Sequence, residues 1–216
     1  MPAIYLLRHG QASFGADDYD VLSDLGKEQA QVAGRELLRR GVRLPVMASG
    51  SLRRQIDTGT IAASVLNVKP PISDSRFDEF DAHAAVNSYL GDSQATQGMS
   101  SVDFQQNLDA AITEWTDTRN EQWKVFSDNA YAALNELAAS LPPGVDAIVA
   151  TSAGVTAVLA GRLLGANAQG VISMNRVSVN ASITTVVAGS RGLSLVSFND
   201  HAHVLIDGAR RLFTNR

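Results

Sequence analysis

Ala3-Ile4-Tyr5-Leu6-Leu7-Arg8-His9-Gly10 is the stretch on which the fold turns. An apolar run with no turn former breaks abruptly into a cation, an imidazole and a glycine. A run that ends this way reads as a fully buried strand. Leu44 to Ala48 and Asp146 to Ala150 repeat the pattern. Helical spacing lies between such runs. Ser23 is an N-cap with Asp24 in the first turn, Ala30, Ala33, Leu37 and Leu38 form a stripe, and Gly41 stops it. Ser51 to Leu66 carries the i,i+4 pairs Leu52/Ile56 and Ile61/Val65, and Pro70-Pro71 closes that unit. A later helix carries Phe126, Ala130, Leu134 and Leu137, and another runs from Gly154 to Leu164. Two β-rich runs, 183–187 and 193–198, flank Ala188-Gly-Ser-Arg-Gly192 and read as a hairpin.

Strands alternating with helices predict an α/β fold of three αβα layers, with a mostly parallel central sheet and helices on both faces. The 216 residues form one domain, 1–216, with an inserted flap at 84–125 that is polar and irregular apart from a short helix near Phe104 to Trp115. As a loop over a rigid sheet, the flap is expected to set substrate choice. Tyr89 is a candidate for its apolar lining. Trp115 and Trp123 are expected to pack the flap onto the domain.

Bulk properties exclude several classes. The chain is 45% hydrophobic and 19% charged, with a formal net charge of -4 and no cysteine. A mildly acidic chain without a basic run argues against nucleic acid as a partner. Without cysteine there is no disulfide, thiolate nucleophile or cysteine-rich zinc site. The N-terminus lacks the cationic and apolar regions of a signal peptide. The most apolar stretch, 147–161, contains Thr151, Ser152 and Thr156 and is too short and polar to span a bilayer. A cytoplasmic protein without a membrane partner is expected, and a homodimer is compatible with these numbers.

Ligands in such sheets gather at the carboxyl ends of the strands. Three segments fall there: Arg8-His9-Gly10, Ser49 to Arg54, and Thr151 to Gly154. A guanidinium beside an imidazole disfavours its protonated form, and a neutral imidazole is a competent nucleophile toward phosphorus. Gly10 lets backbone come close to a ligand. Of Arg53 and Arg54, one can face inward as a fork for a phosphoryl group, at a helix N-terminus that adds N–H donors. Arg76-Phe-Asp78-Glu79-Phe80-Asp81 sets three carboxylates among aromatic rings, where a raised pKa suits a general acid. Composition does not select among them. The acidic group Asp17, Asp18 and Asp20 matches no calcium loop and reads as turn formation.

Ile4-Tyr-Leu-Leu-Arg8-His9-Gly10-Gln11 resembles the opening signature of the histidine phosphatase superfamily, which includes phosphoglycerate mutase-like proteins. Leu22-Ser-Asp-Leu-Gly26 with Gln29-Ala30 is similar to its next block. Ser49-Gly-Ser-Leu-Arg-Arg54 with Thr58 is similar to its Ser-x-x-Leu-x-Arg block, and Phe77-Asp-Glu79 to the block that carries the acid. Phe198 to His203 is similar to an ending seen in the family. The resemblance implies that His9 is the nucleophile and Glu79 the acid, with Arg8, Gly10, Arg54 and Ser152 binding phosphate. It implies no metal and no other cofactor, and a small phosphorylated substrate or a phosphate ion as ligand. One departure stands out. Where the family places a second histidine and Gly-Gly, this chain has Ser152-Ala153-Gly154, so the histidine is replaced by a serine with no positive charge. His83, His201 or His203 could restore that charge only by reaching in from elsewhere, and each reads better as a surface or capping residue. The activity implied is hydrolysis of small phosphomonoesters through a phosphohistidine. The alternatives are mutase-type phosphoryl transfer and a catalytically impaired phosphoanion-binding protein.

Overall fold

The computed structural model describes residues 1–13, 20–117, 121–206 and 210–215. The loop read over 13–20 therefore lies, from residue 14 to 19, outside the described residues, and Asp17 and Asp18 with it. The elements in chain order are β1 (Ala3–Arg8), α1 (Asp24–Arg39), β2 (Val46–Ser49), α2 (Arg53–Leu66), β3 (Ile72–Ser73), α3 (Ala82–Leu90), α4 (Ser101–Asp117), α5 (Glu121–Ser140), β4 (Ala147–Thr151), α6 (Ala153–Leu164), α7 (Ala168–Val177), β5 (Ile183–Gly189) and β6 (Gly192–Asp200). The strands form one six-stranded sheet in the order β3-β2-β4-β1-β5-β6. β3, β2, β4 and β1 are mutually parallel, and β5 and β6 add antiparallel to the β1 edge. The predicted hairpin is there, with a tighter turn: Gly189 pairs with Gly192, and only Ser190 and Arg191 lie between.

Alternation along the strands feeds two cores. Ile4, Leu6, Ala147 and Val149 pack against Ala130, Ala133 and Leu134 of α5 and Val155 and Leu159 of α6. Leu7, Met47, Ile148 and Ile183 face the other way, onto Ala33 and Leu37 of α1 and Ala62 and Ala63 of α2. Each buried leucine or isoleucine stabilises the fold by roughly 1.5–3 kcal/mol against exposure. Central strands buried on both faces explain why β1 and β4 read as unbroken apolar runs.

Helix ends follow the expected chemistry at α1, where the Ser23 side chain accepts from Gly26 N–H and Gly41 takes a positive φ of 69°. The flap is more regular than its polar sequence suggests. α3 is capped by the Asp81 side chain and ends at Gly91, and α4 runs on from Ser101. Trp115, at 7% exposure, packs with Val86, Leu108, Ile112 and Ile172, so the tryptophan does hold the flap down, with Trp123 beside it. Tyr89 is exposed. α7 completes the outer layer through Val171 and Ile172. Among the described residues no helix is long and apolar enough to cross a membrane.

One contact positions the first strand end. A Cβ on Gly26 would lie 2.1 Å from the Gln11 carbonyl oxygen, and one on Gly10 would lie 2.2 Å from the Gly26 carbonyl oxygen. Neither backbone can yield cheaply. Gly26→Ala is therefore expected to destabilise the protein by roughly 2–3 kcal/mol, a fall in Tm of about 4–12 °C for a domain of this size. Thermal unfolding followed by circular dichroism checks it, and an unchanged Tm would refute the close packing.

Candidate active site

β1 and β4 run parallel with Arg8 opposite Thr151, so His9 and Ser152 follow side by side at the strand ends. The His9 backbone is held from several sides. Its N–H donates to the Thr151 carbonyl at 2.8 Å, and its carbonyl accepts from Ala181 N–H at 3.3 Å and Asn180 Nδ2 at 3.2 Å. The ring is 5% exposed. Its Nδ1 lies 2.7 Å from the Gly10 carbonyl, which can only accept, so Nδ1 carries the proton. Nε2 then keeps its lone pair and accepts from Arg54 Nε at 3.3 Å. Burial, then the positive charges of Arg8 and Arg54, push the imidazole pKa well below its ordinary value, against a smaller opposing effect of the Gly10 carbonyl. The result is an unprotonated imidazole with its free nitrogen facing the first turn of α2.

The cations sort as the sequence suggested. The Arg54 side chain is 12% exposed and Arg53 61%. Arg8 is buried and donates through Nη1 to the Ser178 carbonyl. Asp20, read only as part of a turn, has a larger part. One of its carboxylate oxygens accepts from Arg54 Nη1 at 2.6 Å and Arg54 N–H at 3.4 Å, and the other from Arg53 N–H at 2.7 Å. A carboxylate thus sits at the α2 N-terminus on the guanidinium, where unpaired N–H groups favour an anion.

The three carboxylates after Arg76 take three different jobs. Asp78 accepts from the Ser51 backbone and hydroxyl. Asp81 caps α3 through Ala84 N–H at 2.9 Å. Glu79 meets the start of α6, accepting from Gly154 N–H at 2.9 Å and its neighbour Phe80 N–H at 3.2 Å. Desolvation raises its pKa, and the opposing pull of the Gly154 N–H, Arg54, the Phe80 N–H and Arg8 is weaker. The presence of both arginines among those effects places Glu79 in the same electrostatic neighbourhood as His9. A Cβ on Gly154 would come within 2.1 Å of Glu79 Oε1, so only glycine at 154 admits this carboxyl.

Two of the expected phosphate ligands are placed differently from their rationale. Gly10 is glycine because Gly26 of α1 presses on it, and its N–H already donates to Thr58 Oγ1 at 3.1 Å. Ser152 is fully buried, and its hydroxyl accepts from Gln55 Nε2 at 2.8 Å. The other histidines are engaged elsewhere. His83 is exposed and stacks near Phe104 with ring centroids 4.7 Å apart. His201 bonds the Asn199 carbonyl at 2.6 Å. His203, expected as a surface or capping residue, is buried, with Nε2 on the Ala181 carbonyl at 2.9 Å.

Sequence reasoning also missed the polar network behind His9. Gln29, fully buried, accepts from Gln11 N–H at 2.7 Å and donates to the Leu212 carbonyl and Thr214 Oγ1, both at 2.8 Å. Thr214 Oγ1 donates to Asn180 Oδ1 at 2.9 Å, and Asn180 reaches the His9 carbonyl. Gln29 and Asn180 lie far apart in the chain, and only the spacing of Gln29 after Gly26 was a signal.

A buried imidazole with a depressed pKa makes acid stability testable. The unfolded histidine takes up its proton near pH 6.5, and folded His9 does so only at lower pH. Stability is thus full above about pH 6.5 and is lost as pH falls through the window down to the folded pKa. His203 acts in the same direction. In denaturant titrations, His9→Gln is expected to shrink the loss of stability between about pH 7 and 5. Nitrogen-detected NMR is expected to show His9 as the Nδ1–H tautomer at pH 6, and an imidazolium signal there would contradict the geometry.

Comparison with known proteins agrees with the fold. A structure of a mycobacterial glucosyl-3-phosphoglycerate phosphatase aligns with 93% of this chain and 99% of its own at a TM-score of 0.65 and 21% identity. Phosphoglycerate mutase from Bacillus anthracis aligns with 94% of this chain and 95% of its own at 0.64 and 20%. YhfR from Bacillus stearothermophilus reaches 0.70 at 17% identity, over 94% of this chain and all of its own. At these identities the likeness is one of fold. In sequence, a 2,3-bisphosphoglycerate-dependent phosphoglycerate mutase from Hydrogenobaculum is 38% identical over 74 residues, which is 32% of this chain and 30% of that enzyme. The model of the histidine phosphatase superfamily, branch 1, matches residues 4–201, nearly the whole chain, and with that match the chain belongs to this superfamily.

Proposed function

We propose that the protein is a phosphohydrolase of small phosphomonoesters that works through a phosphohistidine on His9. The observation that carries the reading is the fixed tautomer: Nδ1–H is held by Gly10, and the Nε2 lone pair faces the Arg54 guanidinium. Arg54 and Arg8 hold the non-bridging oxygens, where a loose transition state spreads its charge. His9 Nε2 bonds to phosphorus as the ester P–O bond breaks, and Glu79, whose carboxyl pKa is raised by desolvation, gives its proton to the leaving alkoxide. Water then attacks the phosphohistidine, its proton goes to Glu79, the N–P bond breaks and phosphate departs.

A mutase reading is favoured by one observation, the local 38% identity to a phosphoglycerate mutase. In it, His9 returns the phosphoryl group to another oxygen of its substrate. A third reading, an anion-binding protein without turnover, draws on the serine at 152. Phosphate release from para-nitrophenyl phosphate separates the third from the first. Interconversion of phosphoglycerates in the presence of 2,3-bisphosphoglycerate separates the second from the first.

For the hydrolase, His9→Ala is expected to lower kcat by at least about a thousandfold. Turnover unchanged by that substitution would end the phosphohistidine mechanism. Glu79→Gln should discriminate between leaving groups. It is expected to lower kcat about a hundredfold or more on an alkyl phosphate and far less on para-nitrophenyl phosphate, whose phenolate departs without a proton. Equal losses on both substrates would remove Glu79 from the acid's role.

A further inference from the structure

Beside the His9–Arg54 pair lies a second pair, Ser152 and Gln55, each fully buried. Consecutive residues of the first turn of α2 meet adjacent strand ends, Arg54 at His9 and Gln55 at Ser152. We infer that Gln55 is a positioning residue that fixes the Ser152 hydroxyl as an uncharged donor to a phosphoryl oxygen held beside His9. This inference rests on the phosphoryl-transfer reading of the site.

The orientation of the Gln55 amide is dictated by its surroundings. Nε2 lies 3.1 Å from the Phe77 carbonyl, which can only accept, so the amide nitrogen must face that way. Its second N–H then points at Ser152 Oγ, 2.8 Å away. A lone pair of the serine oxygen is thereby engaged, and the hydroxyl proton must point elsewhere. It does not cap α6, although Ser152 is the N-cap residue, and Thr156 bonds the Ser152 carbonyl, not its hydroxyl. Among the described residues the hydroxyl proton meets no acceptor. A buried donor with no acceptor among the described residues, at the strand end beside that of His9, suits an oxygen that arrives with the substrate.

The chain maintains this arrangement at a cost. Gln55 Oε1 is buried without a partner, a penalty that an apolar side chain of the same length would avoid. Space is kept for it as well, since a Cβ on Gly50 would lie 1.9 Å from that oxygen. The amide is therefore retained for its donors. A donor fixed in this way is neutral at every pH, so residue 152 adds a hydrogen bond to the cradle and no charge.

The test uses orthovanadate affinity together with kcat and KM on para-nitrophenyl phosphate for wild type, Ser152→Ala, Ser152→Thr, Gln55→Met and the double variant Gln55→Met/Ser152→Ala. Ser152→Ala and Gln55→Met are each expected to weaken vanadate binding and lower kcat/KM by about ten- to a hundredfold. Ser152→Thr, which keeps a hydroxyl, is expected to stay within a few-fold of wild type. The double variant should be no weaker than Ser152→Ala, because Gln55 acts only through the hydroxyl. If Gln55→Met costs the same factor with alanine at 152 as with serine, Gln55 is only a structural pin and the inference fails. Wild-type affinity in Ser152→Ala overturns the donor role while leaving the phosphoryl reading standing. Failure of wild type itself to bind vanadate removes both. Gln55→Asn, which keeps an amide but withdraws it by one methylene, serves the same comparison if Gln55→Met does not fold.

Discussion

The His9 imidazole is buried and unprotonated under the positive charges of Arg8 and Arg54. Burial and like charge both oppose a proton on Nε2, and they act together. An imidazolium could not attack phosphorus, so under the proposed mechanism the cations that would grip a phosphoryl group would also keep the nucleophile competent. The Gly10 carbonyl completes the constraint by claiming the Nδ1 proton, which leaves Nε2 as the reactive nitrogen.

Buried cations need compensation, and the fold supplies it from separate elements. Arg8 bonds the Ser178 carbonyl just after α7, and Arg54 bonds Asp20 just before α1. Behind the ring, Gln29 ties α1 to the C-terminal segment, and Asn180 passes that connection to the His9 carbonyl. A side chain held by backbone on both sides and by a polar network behind loses little freedom when a substrate arrives, which is the condition for preorganised chemistry. The Gly10–Gly26 contact belongs to the same construction, since it sets how close α1 can lie to the strand end.

What was legible in the sequence follows from range. The buried strands β1 and β4 are apolar up to their last residues, Arg8 and Thr151, helices α1 and α2 carry stripes and α1 is capped by Ser23, so local pattern suffices for them. That one of Arg53 and Arg54 turns inward was legible from helix geometry, which lets only one of two adjacent arginines face a given side, and the resemblance singled out Arg54. The partners that decide chemistry are long-range. Asp20 lies 34 residues before Arg54, and Gln55 lies 97 before Ser152, so no window of sequence shows either pair. α3 escaped and α4 was read only as a short helix, because their surfaces are mostly polar and their buried faces are built from Ala85, Val86, Leu108 and Ile112, which become a stripe only once the two helices pack together. His203 was misplaced for a similar reason, because a histidine in a polar tail shows nothing of the Ala181 carbonyl that buries it.

Asp20 bears on what the cradle can accept. Its carboxylate oxygens already engage two backbone N–H groups at the α2 N-terminus and the Arg54 guanidinium. That donor set is what an anionic oxygen requires, so the structure carries within itself an example of an anion at this place. The same carboxylate also lowers the local positive charge. A phosphoryl dianion must then share Arg54 with Asp20 or take its place, and either way it gains less than it would from an unshared guanidinium. Glu79 completes the balance. Desolvation raises the pKa of its carboxyl, and in the mechanism proposed above that shift limits a second negative charge beside the phosphoryl group. In that proposal charge builds on Glu79 as the ester bond breaks, when the proton is needed on the leaving oxygen and the carboxylate is next needed as a base toward water.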